Sequence, residues 1–201
     1  MPHLILASTS MYRRELLQRL RLSFTAVSPG TDETPLIGET PAALSERLAL
    51  AKAQAVAATH PKAFVIGSDQ VAECDGHAVG KPGSHARAIE QLRQLSGREV
   101  VFHTAVAVVC DDTAYAGCVR VPVVVRFRAL SELEIETYLR LDEPYDCTGS
   151  AKCETLGIGL LESVRSDDPT ALIGLPLIAT CGLLRAAGLD PLLWAGAVHV
   201  D

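Results

Sequence analysis

The chain has 201 residues, 48% of them hydrophobic and only 4% aromatic, which suits one α/β domain with a core of Leu, Val, Ile and Ala. Eighteen basic against 24 acidic residues give a formal charge of -6, which argues against an extended nucleic-acid partner but permits a pocket for a small anion. Six cysteines without a C-x-x-C pair read as reduced cytosolic thiols, and the longest uncharged stretch, residues 169–184, is broken by proline and glycine and too short to span a membrane.

In chain order, LILAS at residues 4–8 predicts a short buried strand, and Ser10 can cap a helix over 11–21 with Leu16, Leu17 and Leu20 inward. Residues 28–39 hold two prolines, two glycines and three acids without periodicity, so they read as a loop. Thr40 and Pro41 then start a second helix ending near His60. Its apolar stripe is Leu44, Leu48, Ala51 and Ala55, with Lys52 at the edge and Glu46 opposite. Lys52 is therefore expected beside the core.

VIGSDQV, residues 65–71, is an apolar run that breaks at Gly67 and leaves Asp69 where a buried strand should end. Asp75-Gly76 is a type I′ hairpin signal, which sets Cys74 opposite His77 and Gln70 opposite Lys81. Such a hairpin carries Lys81 back to Asp69. Residues 84–96 predict a helix with Ala88, Leu92 and Leu95 inward and Gly97 as its stop. Two long strands follow, joined through DDTAYAG, with Pro122 demoting part of the second to an edge or bulge. Ser131 and Glu134 spell a capping box for a helix through Arg140. After a glycine-punctuated loop and strand, a last helix runs from Pro176 to Gly188, and the tail beyond reads as irregular. No repeat or long linker divides residues 1–201, which read as a single domain.

Two features call for a ligand. Arg13 and Arg14 fall in the first turn of a helix, where cations oppose the positive end of the helix dipole. A phosphate held by helix-start amides, by the hydroxyls of Ser8, Thr9 and Ser10, and by a guanidinium would offset that. Asp69 beside Lys81 can stay ionised and either bind a divalent cation or take a proton from water. Glu33 is a second oxygen ligand for a hard cation such as Mg2+, with Asp32 its competitor. Plainer readings exist for each feature alone: arginines facing solvent, Asp69 as a turn or cap residue, the acidic loop merely solvated. Together, Arg13, Lys52, Lys81, Glu33 and Asp69 point to a phosphate-and-metal site. Walker, dinucleotide-binding and nucleophile-elbow motifs are all missing from the sequence.

From LILASTSMYRRELL through DETP, ERLALAKAQAV, VIGSDQV and VGKP to GSAKCETLGIGLL and GLPLIATCGLLR, the chain resembles the Maf family of nucleoside triphosphate pyrophosphatases over about residues 3–187. The resemblance implies an α/β fold, a mixed twisted sheet flanked by helices with two lobes around a central cleft. It also implies metal-dependent cleavage (Mg2+, Mn2+ or Co2+) of a nucleotide to its monophosphate and pyrophosphate, in the cytoplasm. By position, Asp69 resembles the family's proton acceptor, and Ser8, Arg13, Glu33, Lys52 and Lys81 its polar cleft residues. GSDQV resembles the branch that prefers 7-methyl-GTP, whose specificity positions fall on Tyr12, Gln70 and Glu154. A cationic base suits stacking on Tyr12, and Glu154 can accept from guanine N1 and N2 hydrogens. Met11 in place of a common proline, and CETLG in place of an acid followed by glycine, depart from the family pattern. The alternatives are a dTTP/UTP or broad noncanonical nucleotide pyrophosphatase and, from another class, a nucleotide-binding regulator of cell division without significant catalysis. Self-association as a homodimer stays open.

Overall fold

Strand β1 (His3–Ala7) runs through the interior, and its last four residues are buried. The computed structural model of the protein describes residues 3–197. After β1 come α1 (Met11–Gln18), β2 (Thr25–Val27), α2 (Pro41–Ala57), β3 (Ala63–Cys74), β4 (His77–Val79), α3 (His85–Leu95) and β5 (Glu99–Cys110). β6 (Tyr115–Phe127), α4 (Glu132–Asp142), β7 (Leu161–Arg165), α5 (Leu177–Ala186) and α6 (Pro191–Ala197) complete the order. The cap expected at Ser10 forms, Thr40 and Ser84 cap α2 and α3, and Ser131 with Glu134 makes the full reciprocal capping box.

The strands make one mixed sheet, ordered β2-β1-β3-β5-β6-β7, with β4 paired to β3. β2, β1 and β3 are parallel, and the remaining pairs are antiparallel. Side chains alternate across a strand, so β3 sends Val65, Asp69 and Val71 to one face and Ile66, Ser68 and Ala72 to the other. α2 covers the first face through Ala49, Ala53 and Val56. On the opposite face, Leu16, Leu17 and Leu184 pack on Ile66 and Val106, while Leu92, Ile135 and Leu139 pack on Ala72, Phe102 and Val125. Two apolar cores thus share one side of the sheet, the helical arrangement expected of two lobes.

Several expectations need correction. Gly67 does not end the strand, because β3 continues to Cys74 and Asp69 lies in its middle. The glycine serves packing instead: a Cβ there would lie 2.2 Å from the Ala49 carbonyl oxygen and 2.6 Å from the Ala53 nitrogen of α2. The buried face of α2 is also rotated, running through Leu44, Leu48, Ala49, Lys52, Ala53, Val56 and Ala57 and leaving Ala55 exposed. Asp75 and Gly76 do turn with positive φ, and Cys74 pairs with His77. The β3–β4 ladder then stops at Ala72 and Val79, so Gln70 does not oppose Lys81. The Gly80 carbonyl accepts instead from Gln91 Nε2 and the Gly149 amide, and Pro82 has no amide to continue the ladder.

β2 lies in a stretch with no strong strand signal and forms as an added edge beside β1. α1 stops at Gln18 rather than Arg21, and Arg21 adopts a left-handed φ of 56°. Pro122 pairs with His103 on a part of β6 that β7 does not reach, the edge position a proline tolerates. The tail is not irregular throughout: Pro191 begins α6, whose first turn is capped by Asp190 accepting from the Leu192 amide at 2.9 Å. Residues 198–201 lie outside the described part.

Candidate active site

The cleft arises from a gap in the sheet. β1 accompanies β3 only as far as Gly67, and β4 joins it only from Ala72, so the registers leave residues 68–71 without a strand neighbour on that side. From the end of β1 the chain turns away into Ser8–Ser10 and α1, while the chain after β4 leaves through Lys81. The resulting cavity, about 890 Å³, is lined by Ser8, Tyr12, Arg13, Glu33, Lys52, Asp69, Gln70, Lys81 and Glu154, which is every site residue predicted from sequence. A ligand site where neighbouring strands diverge is the general rule for open α/β sheets.

Lys52 organises the floor. Its Nζ lies 2.6 Å from Asp69 Oδ1 and 2.6 Å from Glu33 Oε1, joining α2, β3 and the 28–40 loop at one point. Lys52 and Asp69 are buried, whereas Glu33 is open to solvent. Burial pushes the Asp69 carboxyl above its usual value, and Lys52 and Arg13 only partly offset that. Burial also works against Glu33 ionisation, but there Lys52, Lys81 and Arg13 prevail and hold its carboxyl below the usual range. Asp69 Oδ2 takes no hydrogen bond among the described residues, so one carboxylate oxygen stays free to face a ligand. Asp32 turns elsewhere, accepting from the Thr34 amide and hydroxyl at 2.9 and 2.7 Å. The competition between the two acids ends with Glu33 at the cleft and Asp32 in a turn.

The remaining cations line the walls. Arg13 donates its Nε to the Gly174 carbonyl at 2.9 Å, and its two terminal guanidinium nitrogens have no acceptor among the described residues. Arg14 is exposed. Ser8 Oγ accepts from the Ser10 amide at 3.1 Å, shaping the turn into α1. Lys81 is exposed at the rim, with no salt bridge among the described residues.

At the other end of the cleft the charge reverses. Asp146 and Glu154 flank Tyr12, and burial together with Cys147 and these two acids keeps the Tyr12 hydroxyl protonated well past its ordinary range. Cys147 Sγ donates to the Tyr12 hydroxyl at 3.7 Å. Gln70 projects to the opposite face of β3 from Asp69. Its Nε2 donates to the carbonyls of Ala171 and Leu172 at 3.1 and 2.9 Å and to Thr104 Oγ1 at 2.9 Å. Only the Gln70 oxygen is left to read a ligand, and it can only accept.

A divalent cation fits the floor. Its donor set is carboxylate oxygen, from Glu33 and Asp69, with the Thr31 hydroxyl nearby, buried and unpartnered among the described residues. No group of three or more His, Cys, Asp or Glu side chains suited to a metal occurs among the described residues. Two carboxylates suffice for a hard cation that completes its shell with phosphate and water.

Sequence reasoning missed Ser68, Thr104, Asp146 and Gly174. Asp146 had a signal, an acid beside the GSAKCE segment, but the contacts of the other three span the chain and leave no local pattern.

A mixed α/β sheet whose open seam gathers cations at one end and an aromatic ring between carboxylates at the other defines a binding protein for a small polyanion with a planar head. The chain belongs to the Maf family: the family model for "Maf-like protein" matches residues 3–187. It is 62% identical to the 7-methyl-GTP pyrophosphatase of Polaromonas sp. (strain JS666 / ATCC BAA-500) over 92% of this chain and 85% of that protein. It is 61% identical to the 7-methyl-GTP pyrophosphatase of Bordetella pertussis (strain Tohama I), covering 95% of each chain. Among solved structures, the Ham1 protein of Staphylococcus aureus is a distant likeness, with a TM-score of 0.47 and 18% identity over 63% of this chain and 72% of that one.

Proposed function

We propose that the protein is a nucleoside triphosphate pyrophosphatase acting on 7-methyl-GTP, releasing 7-methyl-GMP and pyrophosphate. The observation that carries the chemistry is the Lys52 bridge, which holds Asp69 ionisable at the cleft floor while leaving its Oδ2 free. Relatives named for this activity at 61–62% identity support the substrate.

Asp69 takes a proton from water as the water oxygen bonds to the α-phosphorus. The bond from that phosphorus to the bridging oxygen breaks, and the electron pair leaves with pyrophosphate. A carboxyl held above the usual range is better matched to accepting that proton than an ordinary aspartate. Arg13, Lys52 and Lys81 stabilise charge on the phosphates, and Ser8 and the amides at the start of α1 bind phosphate oxygens. Glu33 and Asp69 would hold a divalent cation, Mg2+, Mn2+ or Co2+, which supplies further charge neutralisation at the phosphates.

The charge distribution favours a methylated base. N7-methylguanine is cationic, so it gains a cation–π attraction from Tyr12 and a charge attraction from Asp146 and Glu154 that a neutral pyrimidine does not. Six unpaired thiols fit a reducing cytoplasm. Among the described residues no helix is long and apolar enough to cross a membrane.

A panel of 7-methyl-GTP, GTP, dTTP, UTP and ITP, assayed for released pyrophosphate, tests the reading. A preference for 7-methyl-GTP supports it. A pyrimidine preference replaces it with the dTTP/UTP alternative, and binding without product in any of the three metals replaces it with a non-catalytic regulator.

A further inference from the structure

Three carbonyls of one short segment accept from four polar side chains, Arg13 of α1, Ser68 and Gln70 of β3 and Thr104 of β5. Ala171 accepts from Thr104 Oγ1 at 2.9 Å and from Gln70, and Leu172 accepts from Gln70. Gly174 accepts from Arg13 Nε at 2.9 Å and from Ser68 Oγ at 3.0 Å. Ser68 Oγ also lies 2.8 Å from the Ala105 carbonyl, so its single proton is shared between β5 and the 171–174 segment as a three-centre bond. Both Ser68 and Thr104 are fully buried, and neither lines the cleft.

We infer that Ser68 is a positioning residue for Arg13, acting through the Gly174 carbonyl. An arginine side chain loses several rotatable bonds of freedom when it is held in one pose. Among the described residues Nε is the only guanidinium nitrogen of Arg13 with a protein acceptor, so the direction of the guanidinium depends on where Gly174 O sits. Gly174 has a φ of 123°, a conformation open to glycine, and its carbonyl is fixed from beneath by Ser68. Without the Ser68 hydroxyl the segment keeps its Thr104 and Gln70 bonds and the bond from the Gly174 amide to the Ala171 carbonyl, but the Gly174 carbonyl is left with Arg13 as its one side-chain donor among the described residues. The loss should therefore fall on the triphosphate end of the site and spare the base end. Ser68 itself touches no ligand, because its side chain is fully buried and does not line the cleft.

The inference rests on the pyrophosphatase reading above. Its test is a double-mutant cycle with Ser68→Ala, Arg13→Ala and the pair, using 7-methyl-GTP and GTP hydrolysis together with calorimetric binding of inorganic pyrophosphate. Ser68→Ala should lower kcat/KM about 3- to 10-fold for both nucleotides alike, and weaken pyrophosphate binding by a similar factor. Added to Arg13→Ala, it should change either quantity less than about twofold, because the group it positions is gone. Ser68→Cys, which keeps a weak donor of similar size, should recover part of the loss and guards against a variant that folds poorly. Wild-type values in Ser68→Ala, a loss that multiplies fully with Arg13→Ala, or a changed 7-methyl-GTP to GTP ratio would each overturn the inference. A wild-type protein that releases no pyrophosphate from any triphosphate overturns the functional reading and this inference with it.

Discussion

The Lys52 ammonium lies 2.6 Å from an Asp69 oxygen at the floor of the cleft, and only 6% of one side chain and 10% of the other is exposed. Removing one partner of a buried ion pair leaves the other charge unsolvated, at a cost of about 3 kcal/mol or more. Lys52→Met should therefore lower stability by about that amount in urea unfolding. It should also reduce pyrophosphate release at least about 100-fold, since a charge aimed at the phosphates is lost with it. Unchanged stability would mean that Lys52 and Asp69 are solvated in solution.

Asp69→Asn separates the base from the scaffold. Asparagine keeps the shape and can still accept from Lys52 through its oxygen, but it cannot take a proton. Turnover of 7-methyl-GTP should fall about 10²- to 10⁴-fold, the range for losing a general base, while calorimetric nucleotide affinity stays within a few-fold of wild type. Retained turnover would remove Asp69 from the chemistry.

Gly67→Ala tests how the floor is built. The new methyl would overlap the Ala49 carbonyl oxygen at 2.2 Å, and backbone atoms of a buried helix cannot swing aside. α2 must shift away from β3, carrying Lys52 with it. Overpacking of this kind costs about 1–3 kcal/mol. The variant should thus show both a lower unfolding midpoint and a reduced kcat, although residue 67 touches no substrate. A stability loss with unchanged kcat would show that Lys52 tolerates the displacement.

Much of this site could be read from sequence because its parts sit on local signals. Ser10, Thr40 and Pro41 mark helix starts, and the position of Lys52 beside a stripe of leucines put it near the core. The Asp75-Gly76 turn brought Lys81 to the same cleft as Asp69 even though the ladder stops short of it. What stayed hidden depends on distant chain segments. Gly67 looks like a strand breaker until α2 is seen lying on it. The Gly174 carbonyl meets Ser68 and Arg13 across 106 and 161 residues of sequence, a separation that no periodicity encodes. β2 has too few residues to show a pattern, and α6 begins at an Asp-Pro pair that also suits a turn.

Tyr12 should report the charge of the base. Tyr12→Leu keeps an apolar side chain but removes the ring face that attracts a cation, a loss of about 0.5–2 kcal/mol. The ratio of kcat/KM for 7-methyl-GTP over GTP should fall about 2- to 30-fold, whereas Tyr12→Phe should preserve it. Equal ratios in wild type and Tyr12→Leu would assign base choice to Glu154, Asp146 and Gln70 instead.

The thiols beside the base end give a pH signature. Burial pushes the Cys147 thiol up to about 11 and the Cys153 thiol up to about 12, from an ordinary 9.0, with nearby Asp146 and Glu154 adding to the effect. Protons are then bound more tightly in the folded chain than in the unfolded one. The resulting contribution to stability is complete below about pH 9 and is lost as pH rises through 11 to 12. Unfolding midpoints measured from pH 8 to 12 should fall more steeply for wild type than for the Cys147→Ala, Cys153→Ala double variant. Burial, the largest cause of the raised Tyr12 and Tyr138 hydroxyls, is kept in both proteins, so the main part of the tyrosine contribution cancels in the comparison. The same protonation makes both thiols slow to react with iodoacetamide at pH 8, because only the thiolate attacks. Parallel midpoint curves, or alkylation as fast as that of an unfolded peptide, would mean that water reaches these sulfurs and that the base end of the cleft is more open than the structure describes.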